Sequence, residues 1–62
     1  MKPRELERLL LEAGWERIPG RGRGSHRLYR HARRDEIVTL PWHNRDLPPG
    51  TLHAVMKAAG LR

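Results

Sequence analysis

Apolar residues recur at helical spacing near the start of the chain. Leu6, Leu9, Leu10 and Ala13 follow the i, i+3, i+4, i+7 pattern, which places them on one face of an amphipathic helix. Pro3 suits the first turn, where its missing N–H is not needed. Gly14 then provides a left-handed cap, with Trp15 folding back on the last turn. The sequence therefore predicts a helix that ends at Gly14 and buries a leucine-rich face.

The other end of the chain repeats this design. Its apolar positions have the same spacing, and Gly60 follows them as Gly14 follows the first helix. Pro48 and Pro49 set the start of this second helix, whose N-cap is Pro48, Pro49 or Gly50. The residues predicted to face the core are Leu52, Val55, Met56 and Ala59.

Three β-strands are predicted between the helices. They span Trp15–Pro19, Ser25–His31 and Glu36–Pro41, and short loops at Gly20–Gly24 and Ala32–Asp35 join them. The expected order is α-β-β-β-α in an α+β fold. Two helices on one face of a three-stranded antiparallel sheet bury both apolar stripes and leave the other sheet face free.

Strict alternation along the second strand makes a specific prediction about its faces. It places His26 and Leu28 on the core side and Tyr29 on the opposite side. A bulge near Gly24, or fraying at the mouth of the strand, would release His26 to solvent.

Length and composition bound the class of protein. Sixty-two residues form one domain, spanning 1–62. The absence of cysteine excludes a disulfide scaffold and a cysteine-ligated zinc site, and it fits an intracellular, cytoplasmic setting. No apolar run is long enough to span a membrane, and the first residues lack the apolar segment of a secretory signal.

Positive charge is the strongest compositional signal. Thirteen Lys and Arg against seven Asp and Glu give a net charge of +6, and most of the bases are arginine. The guanidinium fork matches phosphate geometry, so a nucleic acid or another polyanion is the expected partner. The alternative is that the charge only keeps the protein soluble. No acid interrupts the segment from Arg17 to Arg34, which is where a phosphate backbone would bind.

A loop that alternates glycine with arginine lies inside this basic segment. In Gly20–Gly24, glycines allow backbone N–H groups to approach a phosphate, while Arg21 and Arg23 supply charge. The loop is not a Walker A motif, because no Gly-Lys-Ser/Thr follows. The alternative interpretation is a basic hairpin loop without a ligand.

The four histidines, at 26, 31, 43 and 53, do not have metal-ligand spacing, so no metal site is predicted. His26 borders the basic loop, where an imidazole can remove the proton of an RNA 2′-hydroxyl and start strand scission. Neighbouring arginines would hold the scissile phosphate. The alternative is a surface histidine that bonds a phosphate or nothing. His43 is either a second polar group of the site or a turn residue, and His53 is expected to be exposed.

The chain has few aromatic residues, and we expect them to serve mainly in packing. Tyr29 and Trp42 can stack on unpaired bases, but in a chain with no phenylalanine we expect them to pack at the core or its rim. Trp15 is expected in the core because it follows the first helix.

Together these residues resemble the HicA toxin family, small mRNA interferases of bacterial toxin–antitoxin systems. The combination of Gly-Ser-His followed by Tyr, then Pro-x-His and Gly-Thr-Leu, is fairly specific, and the likeness runs nearly end to end. It rests on Ala13-Gly14-Trp15, Gly24-Ser25-His26, Tyr29-Arg30-His31, Val38-Thr39-Leu40-Pro41 with His43, Gly50-Thr51-Leu52 and Ala59-Gly60-Leu61.

The resemblance implies a double-stranded-RNA-binding-domain-like fold and a toxin that cleaves mRNA without a metal or small-molecule cofactor. It assigns the catalytic histidine to His26 and implies a HicB-type antitoxin as the protein partner. The candidate RNA-binding residues are Arg21, Arg23, Gly24, Ser25, Arg27 and His43. The alternatives are a non-catalytic RNA-binding module that uses the same surface, and a protein-interaction domain whose basic face meets an acidic partner.

Overall fold

The computed structural model describes residues 1–20 and 24–61. Helix α1 (Pro3–Glu12) precedes three strands, and helix α2 (Pro49–Ala58) follows them. The strands are β1 (Trp15–Arg17), β2 (His26–His31) and β3 (Arg34–Pro41). This order confirms the predicted α-β-β-β-α arrangement and is consistent with a double-stranded-RNA-binding-domain-like fold.

The three strands form one antiparallel sheet in the order β1-β2-β3. Trp15 stands opposite His31, and Tyr29 stands opposite Val38. The register between β2 and β3 shifts after Tyr29, so that His31 pairs with Arg34. The shift places residues 35–37 opposite Arg30 alone, which forms an irregular end to this hairpin.

One core joins both helices to the same face of the sheet. Residues of α1 and α2 form a single cluster with inward-facing strand residues, so the apolar faces of both helices are removed from water at this face of the sheet. The buried apolar residues are Leu6, Leu10, Trp15, Tyr29, Val38, Leu40, Leu47, Val55 and Ala59. Trp15 also donates its indole N–H to the carbonyl of Ala59 over 3.2 Å, which ties β1 to the end of α2.

The helices begin and end largely as the sequence predicts. Pro3 is the first residue of α1, and Pro48 is the N-cap of α2, which decides among the three candidates. Gly14 and Gly60 have φ values of +98° and +72°, the left-handed region that favours glycine. A Cβ on Gly14 would lie 2.8 Å from Nε2 of His31, so close packing also requires glycine there.

The element bounds differ from the prediction at three places. β1 ends at Arg17 rather than Pro19, although the N–H of Ile18 still donates to the carbonyl of Leu28 over 2.8 Å. β2 begins at His26, one residue later than expected, and β3 begins at Arg34, two residues earlier. Only residues 32 and 33 form the turn between β2 and β3, because His31 and Arg34 already pair.

One expectation about burial is corrected, and one buried residue was not predicted. Ala13 is exposed, since α1 ends at Glu12 and Ala13 instead caps the helix by donating its N–H to the carbonyls of Leu9 and Leu10. Leu47, in the connection between β3 and α2, is buried without belonging to either periodic stripe. Within the described ranges, no helix is both long and apolar enough to cross a bilayer.

Candidate functional site

His26 is the first residue of β2 and is exposed to solvent. The predicted faces of β2 are the reverse of the observed ones: Tyr29 is fully buried, while Leu28 lies outside the core. Tyr29 can occupy the core because its hydroxyl donates to Glu7 of α1. His26 therefore reaches solvent through ordinary strand alternation, and no bulge at Gly24 is needed.

A cleft of about 400 Å³ surrounds His26. The turn after β1 and the first residues of β2 form its walls, and the chain that leaves β3 closes it. The backbone N–H of Trp42 donates to the carbonyl of Ser25 over 2.5 Å, which holds these segments together. The lining residues are Arg17, Gly20, Gly24, Ser25, His26, Arg27 and Trp42.

The cleft brings together four of the predicted site residues, Gly24 to Arg27. Arg21 and Arg23, predicted to grip phosphate, lie outside the described residues. His43 does not line this cleft, although Trp42 beside it does.

Arg27 is half-buried and held on two sides. Its Nη1 lies 3.1 Å from a carboxylate oxygen of Glu7, and its Cζ lies 3.5 Å from the ring centroid of Trp42. Both the ion pair and the cation–π contact are partly shielded from bulk water, which makes such contacts stronger than they are at a fully exposed surface. Arg27 therefore forms a fixed part of the cleft wall. Glu7 contacts its Nη1 atom and does not use its other N–H groups.

Glu7 is the carboxylate that organises this wall. The hydroxyl of Tyr29 donates to the same Glu7 oxygen that Arg27 contacts, over 2.5 Å. Glu5 and Glu12 on the same helix are exposed, whereas the side chain of Glu7 is only 19% exposed. The carboxylate lies beside the buried stripe because Arg27 and Tyr29 satisfy it there.

The phenol of Tyr29 is strongly biased toward its protonated form. Burial raises its pKa, and the hydrogen bond to Glu7 and the charge of Glu7 raise it further. A deprotonated Tyr29 would bring two negative oxygens together in a dry environment.

This shift predicts that stability falls at alkaline pH. An unfolded tyrosine has a pKa near 10, and the pKa of Tyr29 in the folded protein lies above that value. The contribution of Tyr29 to the free energy of unfolding is therefore complete below about pH 10 and is lost as the pH rises further. Tyr29→Phe removes this loss, and we expect it to destabilise the neutral protein by about 1–2 kcal/mol through the missing hydrogen bond. Urea unfolding at neutral and alkaline pH measures both effects. An equal alkaline loss in both proteins would contradict the assignment.

Hydrogen bonds distinguish the histidines from one another. In His43, Nδ1 accepts the N–H of Arg45 over 3.1 Å, so this nitrogen has no lone pair left for a substrate proton. In His31, Nδ1 accepts the N–H of Arg33 and Nε2 lies 3.1 Å from the carbonyl of Ala13. The ring of His26 makes no hydrogen bond to residues 1–20 or 24–61, so its lone pair is available.

The two roles left open for His43 are therefore partly resolved. It acts as a turn residue through Nδ1, and in the neutral ring the hydrogen resides on Nε2, which can donate. His53 is exposed on α2, as predicted. His31 is structural: it packs edge-on against Trp15, with 5.2 Å between ring centroids.

Sequence reasoning did not include Glu7 in the site. It named Arg17 only as the start of the basic segment and Trp42 only as a residue that can stack on bases. Arg17 could have been found from hairpin geometry, because antiparallel pairing of Arg17 with Tyr29 brings the following turn to His26. Glu7 had a weaker signal: it lies four residues after Pro3 and three before Leu10, which places it at the edge of the buried stripe. The aromatic character of Trp42 indicated that it can stack on bases, but no sequence signal placed it against Arg27.

The described residues contain no group of three potential ligands that could hold a metal ion. The arrangement instead offers one accessible imidazole between arginines, which suits proton transfer at a phosphodiester.

The chain matches a known protein family over nearly its whole length. Residues 3–61 match the family model described as "HicA toxin of bacterial toxin-antitoxin", and the match includes both helices, all three strands and the cleft around His26. No curated protein matches the chain.

Proposed function

Because the chain belongs to the HicA toxin family of bacterial toxin–antitoxin systems, we propose that it is a metal-independent endoribonuclease that cleaves mRNA. The observation that carries the proposal is the exposed imidazole of His26, free of hydrogen bonds to the described residues, in a cleft with two arginines. A general base needs an available lone pair and access to substrate, and His26 combines them.

In the proposed reaction, His26 removes the proton of a ribose 2′-hydroxyl. The 2′-oxygen forms a bond to the adjacent phosphorus, and the bond from phosphorus to the 5′-oxygen breaks. The 5′-oxygen leaves as a hydroxyl, with its proton supplied by the imidazolium or by water. The products are one strand ending in a 2′,3′-cyclic phosphate and one beginning with a 5′-hydroxyl.

Arg17 and Arg27 are proposed to stabilise the charge that develops on the phosphate. Because Glu7 and Trp42 fix the guanidinium of Arg27, it needs little reorganisation during the reaction. Ser25 and the backbone of Gly24 are proposed to position the substrate beside His26. Arg21 and Arg23 remain proposed phosphate contacts on sequence grounds alone.

Toxins of this family pair with HicB antitoxins. We expect the partner to act by covering the cleft around His26, since that blocks access without requiring a change in the fold. The positive charge of the chain, +6, favours an acidic covering surface.

The proposal predicts a specific dependence on the 2′-hydroxyl. Purified protein with a chelator present should cleave mRNA and leave 5′-hydroxyl ends, while a 2′-O-methyl RNA of the same sequence should remain intact because it lacks the nucleophile. End-group analysis and gel electrophoresis measure both results. Cleavage of the 2′-O-methyl RNA, or a requirement for a divalent ion, would contradict the mechanism. Binding of both RNAs without cleavage of either would favour the RNA-binding module.

A further inference from the structure

A second cleft lies on the other side of Trp42. It has a volume of about 390 Å³ and forms between the start of α1 and the chain that follows β3. Trp42 lines both this cleft and the one around His26, so the two are neighbours with a common wall. The other lining residues are Lys2, Arg4, His43 and Asn44.

The groups in this second cleft are donors. The side chains of Lys2 and Arg4 form no ion pair with any residue in 1–20 or 24–61. The nearby carboxylate of Glu5 accepts the backbone N–H of Lys2 over 2.7 Å, which occupies one of its oxygens at the helix start. Lys2 and Arg4 therefore retain their positive charges for an external anion.

Side chains from the β3–α2 connection add neutral donors. The bond from the N–H of Arg45 to Nδ1 of His43 leaves the Nε2–H of the neutral ring free to donate, and the Asn44 side chain offers an amide. A cleft with an ammonium, a guanidinium and two neutral donors has the chemistry of a phosphate site. The cations continue along α1, where Arg8 joins Lys2 and Arg4 around a further depression that Glu5 also lines.

We propose that this second cleft is an RNA subsite that binds a phosphate next to the scissile one, so that the strand crosses Trp42 between the two clefts. The inference rests on the proposed function and adds Lys2 and Arg4 to the residues that hold RNA. A single strand suits this path, because successive phosphates of one chain can occupy neighbouring clefts while the bases point away.

The test is a pair of charge-matched double variants in a His26→Ala background, which keeps the RNA intact. K2Q/R4Q removes the two cations of the second cleft. R33Q/K57Q removes two exposed cations at the β2–β3 turn and the end of α2; Arg33 belongs to the basic segment of the sequence, but neither residue lines either cleft. Binding of a labelled, mixed-sequence single-stranded oligoribonucleotide is measured by fluorescence anisotropy at several salt concentrations. Both variants lower the net charge equally, so only local contacts distinguish them.

We expect K2Q/R4Q to weaken binding about tenfold and R33Q/K57Q to have a much smaller effect. The slope of log Kd against log salt should fall by roughly 0.7 for each phosphate that the variant no longer neutralises. With His26 restored, K2Q/R4Q should raise KM for long RNA more than it lowers kcat, because Lys2 and Arg4 lie away from the scissile bond.

Equal losses of affinity in both double variants would overturn the subsite, since they would reflect net charge alone. Loss of antitoxin binding in K2Q/R4Q with RNA affinity retained would also overturn it and assign the cleft to the protein partner. Failure of the proposed function looks different: wild-type protein would not cleave RNA, while selective loss of RNA binding in K2Q/R4Q would still support the subsite.

Discussion

His26→Ala is expected to reduce RNA cleavage by about 10²–10⁴-fold, the usual contribution of a general base. The variant should keep the melting temperature of the wild type, because the side chain is exposed and forms no hydrogen bond to the described chain. RNA affinity should change little, since the arginines remain. His26→Gln should be equally inactive, because the amide retains polarity but cannot accept the proton. Cleavage is measured on mRNA with purified protein, and stability by thermal unfolding.

His53→Ala is the matched control, because it removes an exposed histidine on α2, away from the residues that line the cleft. It should retain the wild-type cleavage rate. Full activity in both His26 variants would exclude His26 as the base. A His26 variant that loses its activity together with its folded structure would indicate a structural role for His26. The exposure of the side chain argues against such a role.

Leu10→Asp is expected to prevent folding. Leu10 is fully buried in the cluster that joins α1 to the sheet, and no buried residue of the described part of the chain carries a charge that could pair with a carboxylate. A chain of 62 residues has about 3–9 kcal/mol of stability in total, and an unpaired buried charge costs several kcal/mol. Circular dichroism should show no cooperative thermal transition.

Leu11→Asp provides the control within the same helix. Leu11 is 49% exposed, so the same substitution one residue later places the carboxylate in water. We expect a loss of about 0.5 kcal/mol from helix propensity, with a cooperative transition retained. Similar melting of the two variants would mean that the buried face of α1 is assigned wrongly.

Periodicity was sufficient to predict the helices and the order of the strands. It identified Leu6 and Leu10 as core residues because a helix places every third or fourth residue on one face. Periodicity assigned the wrong face of β2 to the core. Leu28 and Tyr29 are adjacent and point to opposite faces of the strand, and either side chain is suited to burial. The choice between Leu28 and Tyr29 depends on Glu7, a residue distant along the chain that satisfies the tyrosine hydroxyl.

The candidate site was predictable where its residues are adjacent in sequence. Gly24 to Arg27 form one short motif, and the structure places all four in the cleft. The contacts of Arg27 with Glu7 and Trp42 could not be predicted, because they depend on how α1 and the end of β3 pack against β2. The different roles of His26 and His43 also required the structure, since only the hydrogen bond from Arg45 shows which ring nitrogen of His43 is occupied.

The hydrogen bonds that flank the Gly-Arg segment have a consequence for its length. The bond from Ile18 to Leu28 and the bond from Trp42 to Ser25 anchor the chain on both sides of the Gly-Arg segment without involving that segment. Lengthening a loop between fixed anchors is inexpensive, about 0.6 kcal/mol for each doubling. Residues can therefore be added to this segment at little cost in stability, because the strand that carries His26 is held by bonds outside it.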